Sequence, residues 1–215
     1  MEKKYKPEIE DLINDGNYKL VKILKHDEVV HFVVQQIKQL RWPMLLFYTF
    51  ILVLFILIAG LSFLNFFNPL ISWGSYWIYM LFGFLSGMLL VIPFHEALHG
   101  LAYRLAGAKK INYGMDLKQM LFYASAPGFV ADKKNFIIVA LFPFVIINIV
   151  FATVIVFGQT PLQWASLVAI FVHSTLCIGD FAMINYMALF PDKKMYTYDD
   201  QIKKTSFFFI TTLDY

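Results

Sequence analysis

The chain has 215 residues, 59% of them hydrophobic and 18% aromatic, with 15% charged and a formal net charge of +3. An ordinary soluble domain carries about 25% charged residues, so this composition excludes a typical water-soluble enzyme and points to an integral membrane protein. The single cysteine, Cys177, excludes an internal disulfide framework and a cysteine-based zinc knuckle, and its apolar surroundings make it a small buried hydrophobe.

Residues 1–43 alternate acids and bases and form a cytoplasmic N-terminal segment. Within it, KLVKIL reads as a short strand and DEVVHFVVQQIKQL as an amphipathic helix on or near the inner membrane surface. His26 and His31 lie in this polar context and read as ordinary solvated residues. No cleavable signal peptide is expected, because the first apolar run follows about forty polar residues and is too long for a signal core.

A helix needs about 20 apolar residues to cross the hydrocarbon core. Four runs meet that length, at roughly 44–64, 76–103, 136–157 and 164–190. The connecting segments hold eight Lys and Arg before the first run, none in 65–75, six in 104–135, none in 158–163 and four after 190. All the positive charge therefore falls on one side, which the positive-inside rule makes the cytoplasm. The expectation is an all-α membrane protein with four transmembrane helices, both termini cytoplasmic, and a tail over 191–215. The insert 107–135 lacks a sustained helical period and is expected to be a cytoplasmic hairpin or re-entrant loop, to which an extended substrate can add as a strand. Gly83 and Gly87 form a small-residue face for close helix packing, and Pro93 and Pro143 are expected to bend their helices.

Thirteen of the fifteen acids lie in the cytoplasmic segments; the other two, Glu96 and Asp180, lie within spans, as do His95, His99 and His173. Ionisable groups at membrane depth are costly unless paired, solvated or bound to a cation, so these residues are functional candidates. In PFHEALHG, His95 and His99 are four positions apart, about 40° around a helix and 6 Å along it, and can hold one metal ion. Glu96, on the adjoining face, is placed to act as general base in the HExxH arrangement of zinc peptidases. Ala102 and Leu105 stand where an extended HExxHxxGxxH pattern needs glycine and a third histidine, so a third ligand must come from elsewhere. Asp180, the other carboxylate within a span and at matching depth, is the candidate. A hydrogen-bonded cluster between helices is the bland alternative.

His173 lies seven positions before Asp180, about 10 Å away along an unbroken helix. It therefore reads as a neighbour of the ion, a substrate-side group or a hydrogen-bonding residue, with direct ligation the lesser alternative. Asn148, beyond Pro143, is a candidate to hold a substrate backbone or an oxyanion, or else to bond a neighbouring helix.

With HEALHG in a span, FYASAPGFV in the insert, FPF in the next span and HSTLCIGD in the last, residues 80–190 resemble the bacterial family of putative zincin peptidases, formerly a domain of unknown function. The chain is also distantly similar to site-2 protease type intramembrane metalloproteases. The resemblance implies a multi-pass protein of the plasma membrane that binds Zn²⁺ through His95, His99 and Asp180, with Glu96 as base. It implies hydrolysis of peptide bonds in or near the inner half of the bilayer, in a membrane protein or peptide substrate. The rival reading is a non-catalytic membrane protein that senses or transports a metal with the same ligands. Nothing in the chain signals nucleic-acid binding, and the oligomeric state is left open.

Overall fold

The protein is described here by a computed structural model covering residues 7–116 and 121–212. Residues 117–120 of the insert, 1–6 and 213–215 lie outside the described residues.

Three apolar rods are long enough to cross a membrane: helix α3 (Trp42–Phe67), the continuous rod of α4 (Trp73–Leu85) and α5 (Val91–Leu105), and α6 (Lys133–Phe157). Only 17% to 22% of their most apolar stretches is buried inside the protein. Most of that apolar surface faces outward, an arrangement suited to lipid and costly in water. Local chemistry sets the helix boundaries. Pro43 occupies the first turn of α3, where its missing N–H costs nothing. Asn65 accepts the amides of Leu70 and Ile71 to close the turn into α4, and Ser72 caps α4 through the amide of Ser75.

The expectation of an all-α, four-span protein is corrected on two counts. The last apolar run is not one helix: α7 (Thr160–Leu176) and α8 (Ile178–Met187) meet at Cys177 with a bend of 44°, and together they count as a crossing only if the bent pair is one span. The polar segments also form strands, in two antiparallel sheets. β1 (Tyr18–Lys25), β4 (Ala131–Asp132), β5 (Met195–Asp200) and β6 (Thr205–Thr211) make one sheet in the order β1-β6-β5-β4. β2 (Asn112–Asp116) and β3 (Leu121–Ser125) make a hairpin within the insert. The strand segments are rich in aromatic and β-branched residues, as in MYTYDD and TSFFFIT. Their partners, however, are remote: β1 from the start of the chain pairs with β6 from its end, a pairing that no local periodicity reveals.

Side-chain alternation makes the larger sheet two-faced. Tyr198 and Phe209 pack with Leu12 of helix α1 (Ile9–Asn14) on one face. On the other, Met195 and Phe208 pack with Leu24, with Phe32 of helix α2 (Val29–Ile37), and with Tyr186 and Met187 of α8. The polar layer is thereby fastened to the helical body. A polar clamp reinforces the join, as the fully buried Asn185 donates to the carbonyls of Gln36 at 3.2 Å and Gln39 at 3.1 Å.

The expected small-residue face exists and seats the rod of α4 and α5 against α7. A methyl group at Gly83 would meet the carbonyl of Ala165 and lie 2.9 Å from Val168 Cβ; one at Gly87 would lie 2.8 Å from the Ala169 carbonyl. Gly60 in α3 has open space instead. Gly83→Ala is therefore expected to destabilise the protein by about 1–3 kcal/mol through overpacking, while Gly60→Ala is neutral or favourable. Thermal unfolding of the detergent-purified variants measures the contrast.

Candidate metal centre

Residues Ser86–Leu90 form a π-helical turn between α4 and α5, just before the histidine pair. A π turn inserts extra backbone and rotates the face that follows, a device common at functional sites. Pro93 follows within one turn and has no N–H to return to Leu89, which relaxes the same stretch. Beyond it, His95 and His99 project together from α5, their rings 4.6 Å apart.

Asp180 comes from the first turn of α8. Its two carboxylate oxygens divide between the two imidazoles, Oδ2 lying 3.4 Å from His95 Nε2 and Oδ1 3.4 Å from His99 Nε2. The three ligand-type atoms lie within 4.8 Å of one another. The geometry thus brings together the three residues singled out as a cation-binding set. Two neutral imidazole nitrogens and a carboxylate oxygen are a donor set suited to zinc.

The far nitrogens of both histidines are also held. His99 Nδ1 donates to the carbonyl of Val139 on α6 at 2.9 Å. That carbonyl is free to accept because its helical donor would be residue 143, and Pro143 has no N–H. With Nδ1 engaged by that carbonyl, Nε2 is the His99 atom turned toward Asp180 and the one that would ligate an ion. The proline expected only to bend a helix therefore also releases an acceptor for a site histidine, a role legible in the four-residue offset once the partner is known.

His95 Nδ1 lies 3.1 Å from His173 Nε2. His173 is buried on α7 and is also 3.5 Å from the Cys177 thiol, which donates to the His173 carbonyl. His95, His173 and Cys177 form a second group whose ligand-type atoms lie within 4.8 Å of one another. The break at Cys177 explains how His173 and Asp180 both reach His95: they approach it from opposite ring nitrogens. Cys177 is buried, as expected, but contacts polar neighbours.

Glu96 lines the same cavity as the triad, a space of about 670 Å³ between the helices and the strands. One side of its carboxylate receives a backbone hydrogen bond from Ala124 of β3; Oε2 is buried with no hydrogen-bond partner. The hairpin reaches α5 through Gly100, where any side chain would collide with the Tyr113 hydroxyl. Gln201, in the turn between β5 and β6, bonds both Ser125 and Asn112, closing the hairpin onto the larger sheet.

Asn148 is not brought to this cavity. It donates to the Phe144 carbonyl at 2.6 Å and accepts from Ser174 at 3.2 Å, joining α6 to α7. His31 contacts Gln35 at 2.9 Å, whereas His26, expected to be merely solvated, lines the cavity. Sequence reasoning also missed Ala124 and the sheet residues of the cavity wall, because strand pairing alone brings them there.

The sequence profile of the family described as putative zincin peptidase matches residues 88–195. That match contains the whole triad, Glu96, the hairpin and the start of β5. No curated protein and no solved structure matches the chain.

The bond between His99 and Val139 yields a measurable expectation. Pro143→Ala returns an N–H that competes for the carbonyl, and zinc affinity measured against a chelator should fall by up to about tenfold, at the low end for loss of an orienting partner. His99→Ala, which removes a donor outright, should lose more.

Proposed function

We propose, from the membership of this chain in the zincin peptidase family, that it is a zinc metalloprotease acting on membrane protein or peptide substrates in or near the inner half of the bilayer. The observation that carries this reading is the carboxylate of Asp180 set 3.4 Å from the Nε2 atoms of both His95 and His99, with Glu96 in the same cavity. His95, His99 and Asp180 would hold the ion. Zinc bound there supplies a Lewis acid for the scissile carbonyl and makes water more acidic.

The remaining chemistry falls to the chain's own groups. Ala124 fixes one side of the Glu96 carboxylate and leaves Oε2 as the acceptor for a proton. As the water oxygen bonds to the carbonyl carbon, Glu96 takes the water proton, and it gives that proton to the amide nitrogen as the C–N bond breaks. A carboxylic acid and an amine leave. His173 and the Val139 carbonyl hold the two imidazoles from behind, so their rings need little reorganisation.

Substrate positioning follows from the hairpin. β3 pairs with β2 on one side, and its Ala124 amide faces Glu96 on the other. An extended peptide adding along that second edge would carry its backbone past Glu96, the recognition mode of strand addition. Three apolar helices long enough to span a membrane support a membrane-borne substrate.

Glu96→Gln is expected to retain zinc and lower peptide hydrolysis by about 10²–10⁴-fold, the usual worth of a positioned general base. Asp180→Ala is expected to lose both zinc and hydrolysis. Metal analysis of the purified variants, paired with a cleavage assay, reads both. Unchanged function in zinc-loaded Glu96→Gln would instead favour the metal-sensing or metal-transport reading.

A further inference from the structure

The wall of the cavity opposite α5 is made by the larger sheet, and its chemistry is not that of an apolar peptidase cleft. Thr197 and Asp199 of β5 and Ser206 and Phe208 of β6 all line the space that holds His95, Glu96 and Asp180. The register pairs Thr197 with Phe208 and Asp199 with Ser206, so these four side chains share one face. The alternate residues, Tyr198 and Phe209, are committed to the core under α1. Asp199 cannot turn away without a register slip that would expose those rings.

Asp199 accepts a hydrogen bond from the Ser206 hydroxyl and interacts electrostatically with His26. Burial nevertheless raises its carboxyl above the ordinary aspartate value, which the hydroxyl and His26 offset only in part. Lys204 also borders the cavity, but among the described residues its side chain makes no ion pair with Asp199; its backbone carbonyl accepts from the His26 amide at 2.9 Å. An acid sunk in a cleft beside a hydrolytic centre favours one ligand chemistry. An acidic side chain is repelled, an apolar one removes water without replacing its hydrogen bonds, and a cation makes charge-assisted ones. Phe136 and Met183, which line the same cavity, suit the methylene stem of such a side chain.

We propose that Asp199, with the hydroxyls of Ser206 and Thr197, forms a subsite for a lysine or arginine side chain of the peptide whose backbone lies at Glu96. This rests on the peptidase reading and narrows its substrates to those with a basic residue near the scissile bond.

The test uses the full chain, purified in detergent, zinc-loaded and carrying Glu96→Gln to prevent turnover. Short peptide hydroxamates, each with lysine or norleucine at one position in turn, are titrated calorimetrically. At one position lysine should bind about tenfold or more tighter than norleucine, the worth of a charge-assisted hydrogen bond. Adding Asp199→Asn should reduce that ratio to about twofold or less, with Ser206→Ala in between, on the same scale. Ser206→Ala also serves as the milder variant, should Asp199→Asn fail to fold by circular dichroism. A ratio near one at every position in the parent protein, or an undiminished ratio in the Asp199 and Ser206 variants, overturns the subsite. Cleavage of a defined peptide library by the wild-type chain is scored separately. Lysine selectivity without any cleavage removes the peptidase reading and keeps the subsite, cleavage without selectivity removes the subsite alone, and absence of both hydroxamate binding and cleavage removes both.

Discussion

The carboxylate of Asp180 lies between two imidazoles that belong to a different helix, and the irregular features of the helical body serve that meeting. Straight rods cannot bring a residue from α8 and a residue from α7 to the two sides of one histidine. The π turn before α5 and the bend at Cys177 are the departures that allow it. Pro143 contributes by withdrawing an N–H from α6, so that a backbone carbonyl is free for His99. Each of these costs some regular helical hydrogen bonding, and each is located where it orients a site side chain.

The strands complete what the helices leave open. β3 supplies the Ala124 amide that holds Glu96, and the larger sheet forms the far wall of the cavity. That sheet is assembled from segments far apart in the chain, so residues 18–25 and 205–211 are joined to the strands of the cavity wall. Gly100 shows how close the layers are: the tyrosine hydroxyl of β2 occupies the space a side chain would need. The helical body and the polar layer therefore share one cavity, with helical residues supplying the triad and strand residues shaping what can approach it.

Much of the site was legible because its chemistry is local and its background is apolar. Two histidines and a glutamate at helical spacing stand out in a run of Phe, Leu and Ile, and depth counting was enough to match Asp180 to them. His173 was harder. Its seven-residue offset from Asp180 argues against a shared partner on a straight helix, and only the break at Cys177 lets both residues flank His95. Asn148 left two readings open, since a polar residue in an apolar span can meet a substrate or bond another helix, and in the structure it bonds Ser174. His26 and Asp199 carried no signal at all, because charged residues in polar segments look alike until a sheet selects which of them face inward.

The amino-acid order by itself determined the spacing of His95, Glu96 and His99 and the four apolar runs, three of which are unbroken rods in the structure, since helical spacing and hydrophobic length are properties of neighbours along the chain. The tertiary structure alone decided that the strands join into two sheets, because β1 finds its partner in the remote strand β6. It also decided which nitrogen of each histidine faces Asp180, since that choice rests on the carbonyl of Val139 and the ring of His173, contributed by two other helices. Contacts between remote segments depend on how whole elements pack, and the local pattern of residues does not encode them.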